Sequence, residues 1–87
     1  VAYTSYLIFN KTEFEALGLT SKTYTYNLDG IGERDILVTS GVALGITYEG
    51  VFLPLQLNGE NPFYFEDHAI FIEEETQNVY LGILDET

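Results

Sequence analysis

The 87-residue chain carries 14 acidic residues against Lys11, Lys22 and Arg34, a net charge of -11, so it repels nucleic acid and anionic membrane surfaces, whose capture needs clustered Lys and Arg. It contains no Cys, which excludes disulfides, thiolate metal sites and cysteine nucleophiles. Hydrophobic residues make up 46% of it, with seven Tyr and six Phe, too apolar for a disordered acidic tail and enough for one small core.

Ala2 to Phe9, rich in Tyr and aliphatic residues, reads as a first strand. Asn10 is placed to cap a helix over Lys11 to Leu17. Glu13 completes the capping box, and Phe9 and Phe14 occupy the two positions of a hydrophobic staple. Gly18 is set to end the helix in the left-handed conformation. A helix this short does not survive alone and must pack on a sheet. In TYTYNL, Tyr24, Tyr26 and Leu28 alternate with polar residues, the pattern of a half-buried strand. Asp29-Gly30-Ile31-Gly32 is a turn, followed by a strand over Arg34 to Ser40. Gly41 and Gly45 mark a bulge or bend between short strands.

Glu49-Gly50 reads as a two-residue hairpin turn joining Gly45–Tyr48 to a strand over Val51 to Leu57. Pro54 removes a ladder donor, so that strand is expected at a sheet edge or to carry a bulge. NGENP, Asn58 to Pro62, is a loop, and two strands follow, His68 to Glu74 and Val79 to Leu84, with Glu75 to Asn78 turning between them. The expected fold is a single α+β domain over residues 1–87. It is mainly antiparallel, one sheet or a small barrel-like sheet of about five to seven strands with one short N-terminal helix on a face.

Three stretches bear on function. DGIGERD brings Asp29, Glu33 and Asp35 into one glycine turn, oxygen ligands of the type calcium takes. The residue eleven beyond Asp29, where an EF-hand loop needs Glu, is Ser40. A charged turn compensated by Arg34 is therefore the expectation, with no metal and no cofactor. Asp67 beside His68 supplies a carboxylate and an imidazole, but neither a nucleophile nor a polarising group accompanies them, so no catalytic residues are assigned. Phe63-Tyr64-Phe65 is apolar on both faces of a strand; in a domain this small either two of the rings point into the core, or the triplet is an exposed aromatic anchor rimmed by Glu60, Glu66 and Asp67, the composition of a protein-binding patch.

In FIEEETQN, strand phase puts Glu73 and Glu75 on one side, about 6.7 Å apart, with Glu74 opposed. Such a row imitates the charge train of a nucleic-acid backbone, or else keeps a strand edge soluble. ERDILVTS (33–40) and HAIFIEEETQNVYLGIL (68–84), in an acidic β domain of this length, resemble the phage uracil-DNA glycosylase inhibitors. The resemblance implies a DNA-mimicking inhibitor with an acidic strand edge beside an apolar pocket. That family's glutamate-serine-isoleucine segment on its leading strand has no counterpart in AYTSYLIF.

The expected function is a non-enzymatic acidic module that binds a basic, nucleic-acid-handling surface of a protein partner, as a small phage-encoded inhibitor would. Its patch is Glu60, Phe63, Tyr64, Phe65, Glu66, Asp67, Glu73, Glu74 and Glu75. The alternative is a structural subunit that pairs with copies of itself in a homo-oligomer or virion. No apolar run approaches the roughly 20 residues a bilayer helix needs. VAYTSYLIFNK lacks the basic start of a signal peptide, and a host-cell cytoplasm is the favoured compartment. The row begins at Val1 rather than Met, which leaves a removed leader open.

Overall fold

The computed structural model describes residues 2–28, 30–41, 43–55 and 59–85. Eight strands and one helix follow in chain order: β1 (Tyr3–Asn10), α1 (Lys11–Ala16), β2 (Ser21–Leu28), β3 (Gly32–Ser40), β4 (Leu44–Tyr48), β5 (Val51–Pro54), β6 (Phe63–Phe65), β7 (His68–Ile72) and β8 (Asn78–Leu84). They form two four-stranded antiparallel sheets. The front sheet has the order β1-β8-β7-β6 and the back sheet the order β2-β3-β4-β5. The back sheet is an uninterrupted meander. The front sheet is a second meander, β6 to β8, to which the N-terminal strand is added by pairing Tyr3 with Leu84 and Ser5 with Gly82.

The single sheet or barrel expected from the sequence is thus corrected to two open layers with eight strands. The reason lies in the core. Strands that alternate apolar and polar residues leave a whole sheet face to cover, and α1 contributes only Phe14 to that task. A second sheet covers it instead. Ile8, Phe9, Ile70, Ile72, Val79 and Leu81 from the front sheet meet Leu28, Ile36, Val38, Ile46, Tyr48 and Leu53 from the back sheet in one buried cluster. The strand left out of the expected count is Phe63–Phe65, read as strand-like in the sequence but not counted; it is β6, three residues long and, among the described residues, paired only with β7.

Local chemistry accounts for the joints. The Asn10 side chain accepts the Glu13 amide at 3.0 Å, the Phe9 and Phe14 rings meet edge-on at 5.7 Å, and Gly18 at φ 68 closes the helix. A bulge between Leu7 and Phe9 lets the consecutive residues Ile8 and Phe9 both point inward. The Ile8 carbonyl accepts the Tyr26 hydroxyl, tying the edge of the front sheet to the edge of the back sheet. Glu49 and Gly50, both at positive φ, make the two-residue hairpin between Tyr48 and Val51. Pro54 lies on β5, an edge strand, as its missing N–H allows.

β5 ends at Pro54, short of the expected Leu57; Gln56, Leu57 and the first loop residue Asn58 lie outside the described residues. Farther along the loop, the Asn61 side chain imitates a strand. Its amide donates to the Ile72 carbonyl at 2.8 Å and accepts the Ile72 N–H at 3.0 Å. Those two bonds continue the β6–β7 pairing where β6 is absent.

Candidate interaction surface

Because side chains alternate along a strand, every inward residue of the front sheet has an outward neighbour. Here the outward set carries no charge among the described residues. Ser5, Gly82, Ala69 and Tyr64 are partners across four strands, and Leu7, Tyr80 and Phe71 form the adjacent row. The middle of the first row is small, and large rings lean over it. A Cβ added to Gly82 would stand 3.4 Å from the Tyr3 Cβ and 3.6 Å from its Cδ2, so Tyr3 lies across that glycine. Tyr3 then meets Tyr64, arriving from the opposite edge, at 5.6 Å between ring centroids. Phe71 and Tyr80 form a second pair at 6.3 Å. Between the two aromatic ridges is a shallow trough of about 160 Å³, floored by Ser5, Ala69 and Gly82 and ending at Pro62.

The larger side chains of this face are exposed, Leu7 at 48%, Tyr64 at 57% and Phe71 at 38%, while Ala69 and Gly82 beneath them are buried. The outer face of the back sheet is chemically different. Thr23, Thr25, Asn27, Glu33, Asp35, Thr39 and Thr47 dominate it, with a Thr25 to Asp35 hydrogen bond of 2.9 Å and, among the described residues, Leu37, Phe52 and Pro54 as its apolar members. The two sheets therefore present one polar face and one aromatic face.

The expected patch residues are only partly brought together. Tyr64 belongs to the aromatic face, whereas Phe63 is core, 8% exposed, and Phe65 points away from Tyr64 beside His68. Glu66 and Asp67 form the turn between β6 and β7. Glu73, Glu74 and Glu75 are not a strand row, because β7 ends at Ile72 and the three occupy the β7–β8 turn. Glu73 donates its N–H to the Asn78 carbonyl at 2.9 Å and accepts the Gln77 N–H at 2.7 Å, and Gln77 takes φ 67. The Thr76 hydroxyl donates to the Glu73 carboxylate, and the Gln77 side chain donates to the Glu74 carbonyl. TQN thus pulls the glutamates into a side-chain-stabilised turn, which also relieves like charges of a shared ladder.

Asp67 and Glu73 stand at opposite ends of β7, about 20 Å apart along the strand. Glu60 is at the Glu73 end, since its neighbour Asn61 holds Ile72. The acids consequently bracket the aromatic face at both ends of its strands rather than forming one patch.

The face was missed because only Phe63 to Phe65 drew notice. The available signal was that SYLIF, AIFI and VYLGIL are apolar in both strand phases. Antiparallel strands with one wet face should alternate.

At one end of the two layers is an open cavity of about 670 Å³, lined among others by Tyr6, Ile31, Tyr48, Glu49, His68 and Asp85. Tyr48 packs edge-on against His68 at 5.3 Å. The His68 Nδ1 is shielded and has no partner, and no hydrogen bond joins Asp67 to His68 among the described residues. Burial pushes the Tyr48 phenol above its ordinary value, and the Glu49 carboxylate adds to this against an opposing influence from Arg34. Arg34, expected to offset its own neighbours, instead pairs with Glu49 at 3.9 Å.

Asp29, on which the calcium reading partly rests, lies outside the described residues. Among those described, no three acidic or His side chains converge to hold a metal ion. Among the described residues no helix is long and apolar enough to cross a membrane.

No protein-family model matches the chain, and neither a curated protein nor a solved structure matches it.

Proposed function

We propose that the protein is a non-enzymatic binding module that docks onto a basic surface of a protein partner through the outer face of its front sheet. The observation that carries this is the charge-free aromatic face in a chain of net charge -11, bracketed by the acidic turns at Glu66–Asp67 and Glu73–Glu75. An apolar centre with a charged rim is the arrangement in which buried rings supply holding power and outer charges guide approach. Long-range attraction from so negative a molecule directs it to Lys- and Arg-rich surfaces. Occupying such a surface would exclude a polyanion from it, which is how an inhibitor of a nucleic-acid-handling protein works. The acids sit in turns rather than along a strand, so this inhibition rests on charge and an aromatic seat, not on a copied phosphate spacing.

Self-assembly through the same face is the competing reading, and it must overcome repulsion between two chains of charge -11.

The test begins with a partner captured by the protein and then purified. Its affinity is measured by biolayer interferometry against Phe71→Lys on the front sheet and Phe52→Lys on the back sheet. Phe71→Lys should weaken binding by about tenfold or more, as loss of a central ring does, with Phe52→Lys unchanged. Equal affinities for the protein and Phe71→Lys would refute the assignment of the face.

A further inference from the structure

The trough has a shape and chemistry that narrow its occupant. It crosses four strands, three spacings of about 4.8 Å, and so is about 14 Å long. Its banks at Tyr64 and Phe71 rise from rows two residues apart along the strands, about 6.7 Å, narrower than an α-helix, whose diameter with side chains is about 10–12 Å. It lies on the face of the sheet, where backbone groups are committed to neighbouring strands, so an added β-strand finds no ladder to join. What it offers is ring surface on both banks and the hydroxyls of Tyr3, Tyr64 and Tyr80. None of these hydroxyls bonds to protein among the described residues.

A ligand that suits this has compact apolar rings to lay between ridges and carbonyls free to accept from phenols. The polyproline II helix has both. It makes no internal hydrogen bonds, its carbonyls are solvated, and at 3.1 Å per residue about four or five residues fill the trough. Aromatic-lined grooves take proline-rich segments in this way because the ligand loses little entropy on binding. The acids at Glu66–Asp67, about two residues along β7 from the Ala69 floor, add a demand for positive charge beside the prolines.

We propose that the trough between the Tyr3–Tyr64 and Phe71–Tyr80 ridges binds a basic, proline-rich extended segment of a partner protein. This rests on the front sheet being the interaction surface, and it names the ligand class that the surface reads.

The experiment is fluorescence anisotropy with a labelled synthetic peptide, a run of prolines flanked by arginines. Two comparison peptides carry glutamates for the arginines or alanines for the prolines, and a third is a basic amphipathic helix. The proline–arginine peptide should bind saturably and the others about tenfold more weakly or worse. Tyr64→Ala should reproduce that loss. Gly82→Ala, which raises the trough floor by one methyl and keeps the fold, should weaken binding severalfold, and Phe52→Ala should leave it unchanged.

Equal binding of the alanine peptide, preference for the helix, or a dimer in sedimentation equilibrium that excludes the peptide would each overturn the proposal. A captured partner that is lost on Phe71→Lys but not displaced by the proline peptide would sink the ligand class and leave the surface standing. A partner indifferent to Phe71→Lys would sink the surface itself.

Discussion

Gly45→Ala and Gly82→Ala are the same substitution in a strand facing outward, and they should have opposite outcomes. At Gly45 the new Cβ would lie 2.6 Å from the Leu53 carbonyl oxygen and 2.5 Å from the Phe52 Cζ. Phe52 is 45% exposed and can swing aside. The Leu53 carbonyl cannot, because the Leu53 side chain is buried in the core and its backbone is paired with Ile46. β5 must therefore shift as a unit. Forcing a methylene into packed structure costs about 1–3 kcal/mol, and a backbone collision belongs in the upper part of that range. Reduced freedom of the unfolded chain returns about 0.4–1 kcal/mol, leaving a net loss of roughly 1.5–2 kcal/mol. For a domain of this size that lowers Tm by roughly 6–16 °C, at about 4–8 °C per kcal/mol. At Gly82 the nearest atoms are at 3.4 Å, ordinary contact, and the same entropy gain makes Gly82→Ala neutral or slightly stabilising. Thermal melts followed by far-ultraviolet circular dichroism decide it. If Gly45→Ala melts within about 2 °C of the parent protein, less than 1 kcal/mol is at stake and β5 is not held where the geometry puts it.

Asn61→Ala removes both bonds to the Ile72 backbone and leaves a donor and an acceptor unpaired, so urea denaturation should show a loss of about 1–3 kcal/mol. Asn10→Ala removes the helix cap, whose loss typically costs about 1 kcal/mol. It also breaks the side-chain bonds to Thr76 and Asn78, so the measured loss should exceed that figure. Burial raises the phenols of Tyr24, Tyr26 and Tyr48 in the folded protein, with smaller contributions from Glu13 to Tyr24, from Tyr24 to Tyr26 and from Glu49 to Tyr48. Groups raised on folding stabilise fully below their unfolded value, about pH 10, and lose that contribution as pH climbs through the folded value. Melting temperature should therefore fall above about pH 10, with native phenol absorbance appearing later than in urea; identical native and denatured titrations would contradict it.

Local chemistry was legible in the sequence because it is written within a few residues. The Asn10 cap, the Phe9–Phe14 staple, the Gly18 stop and the Glu49-Gly50 hairpin each depend on neighbours at most five positions apart. The edge position of Pro54 is one of the two arrangements, edge or bulge, that its missing N–H allows. The partition into two sheets was not legible, because it turns on which strands pair across the whole chain. Tyr3 with Leu84 is such a pairing, and Tyr26 reaching the Ile8 carbonyl is another. The acidic row failed for a subtler reason. Alternation says which side a residue takes while a strand lasts, but it does not say where the strand stops. Thr76 and Gln77 stop it at Ile72 by binding the backbone and carboxylate of the glutamates themselves.

The same distinction bears on where binding should be sought. A run of glutamates draws the eye because it is contiguous in sequence. The aromatic face is assembled from β1, β6, β7 and β8, one alternate residue at a time. Its trace in the sequence is negative, an absence of polar residues in the phase that should be wet, in three segments scattered over the chain. Such strands are soluble only when something limits the exposed apolar area. Here the limit is internal, since the Tyr3 ring lies across Gly82 and meets the Tyr64 ring there. That arrangement limits the exposed apolar area without making the face polar, and under the proposed function a ligand that offers rings and carbonyls together would exchange for water there. Under the proposed function the high negative charge would serve two ends: it would keep copies of the chain apart, and it would favour ligands that arrive with Lys or Arg.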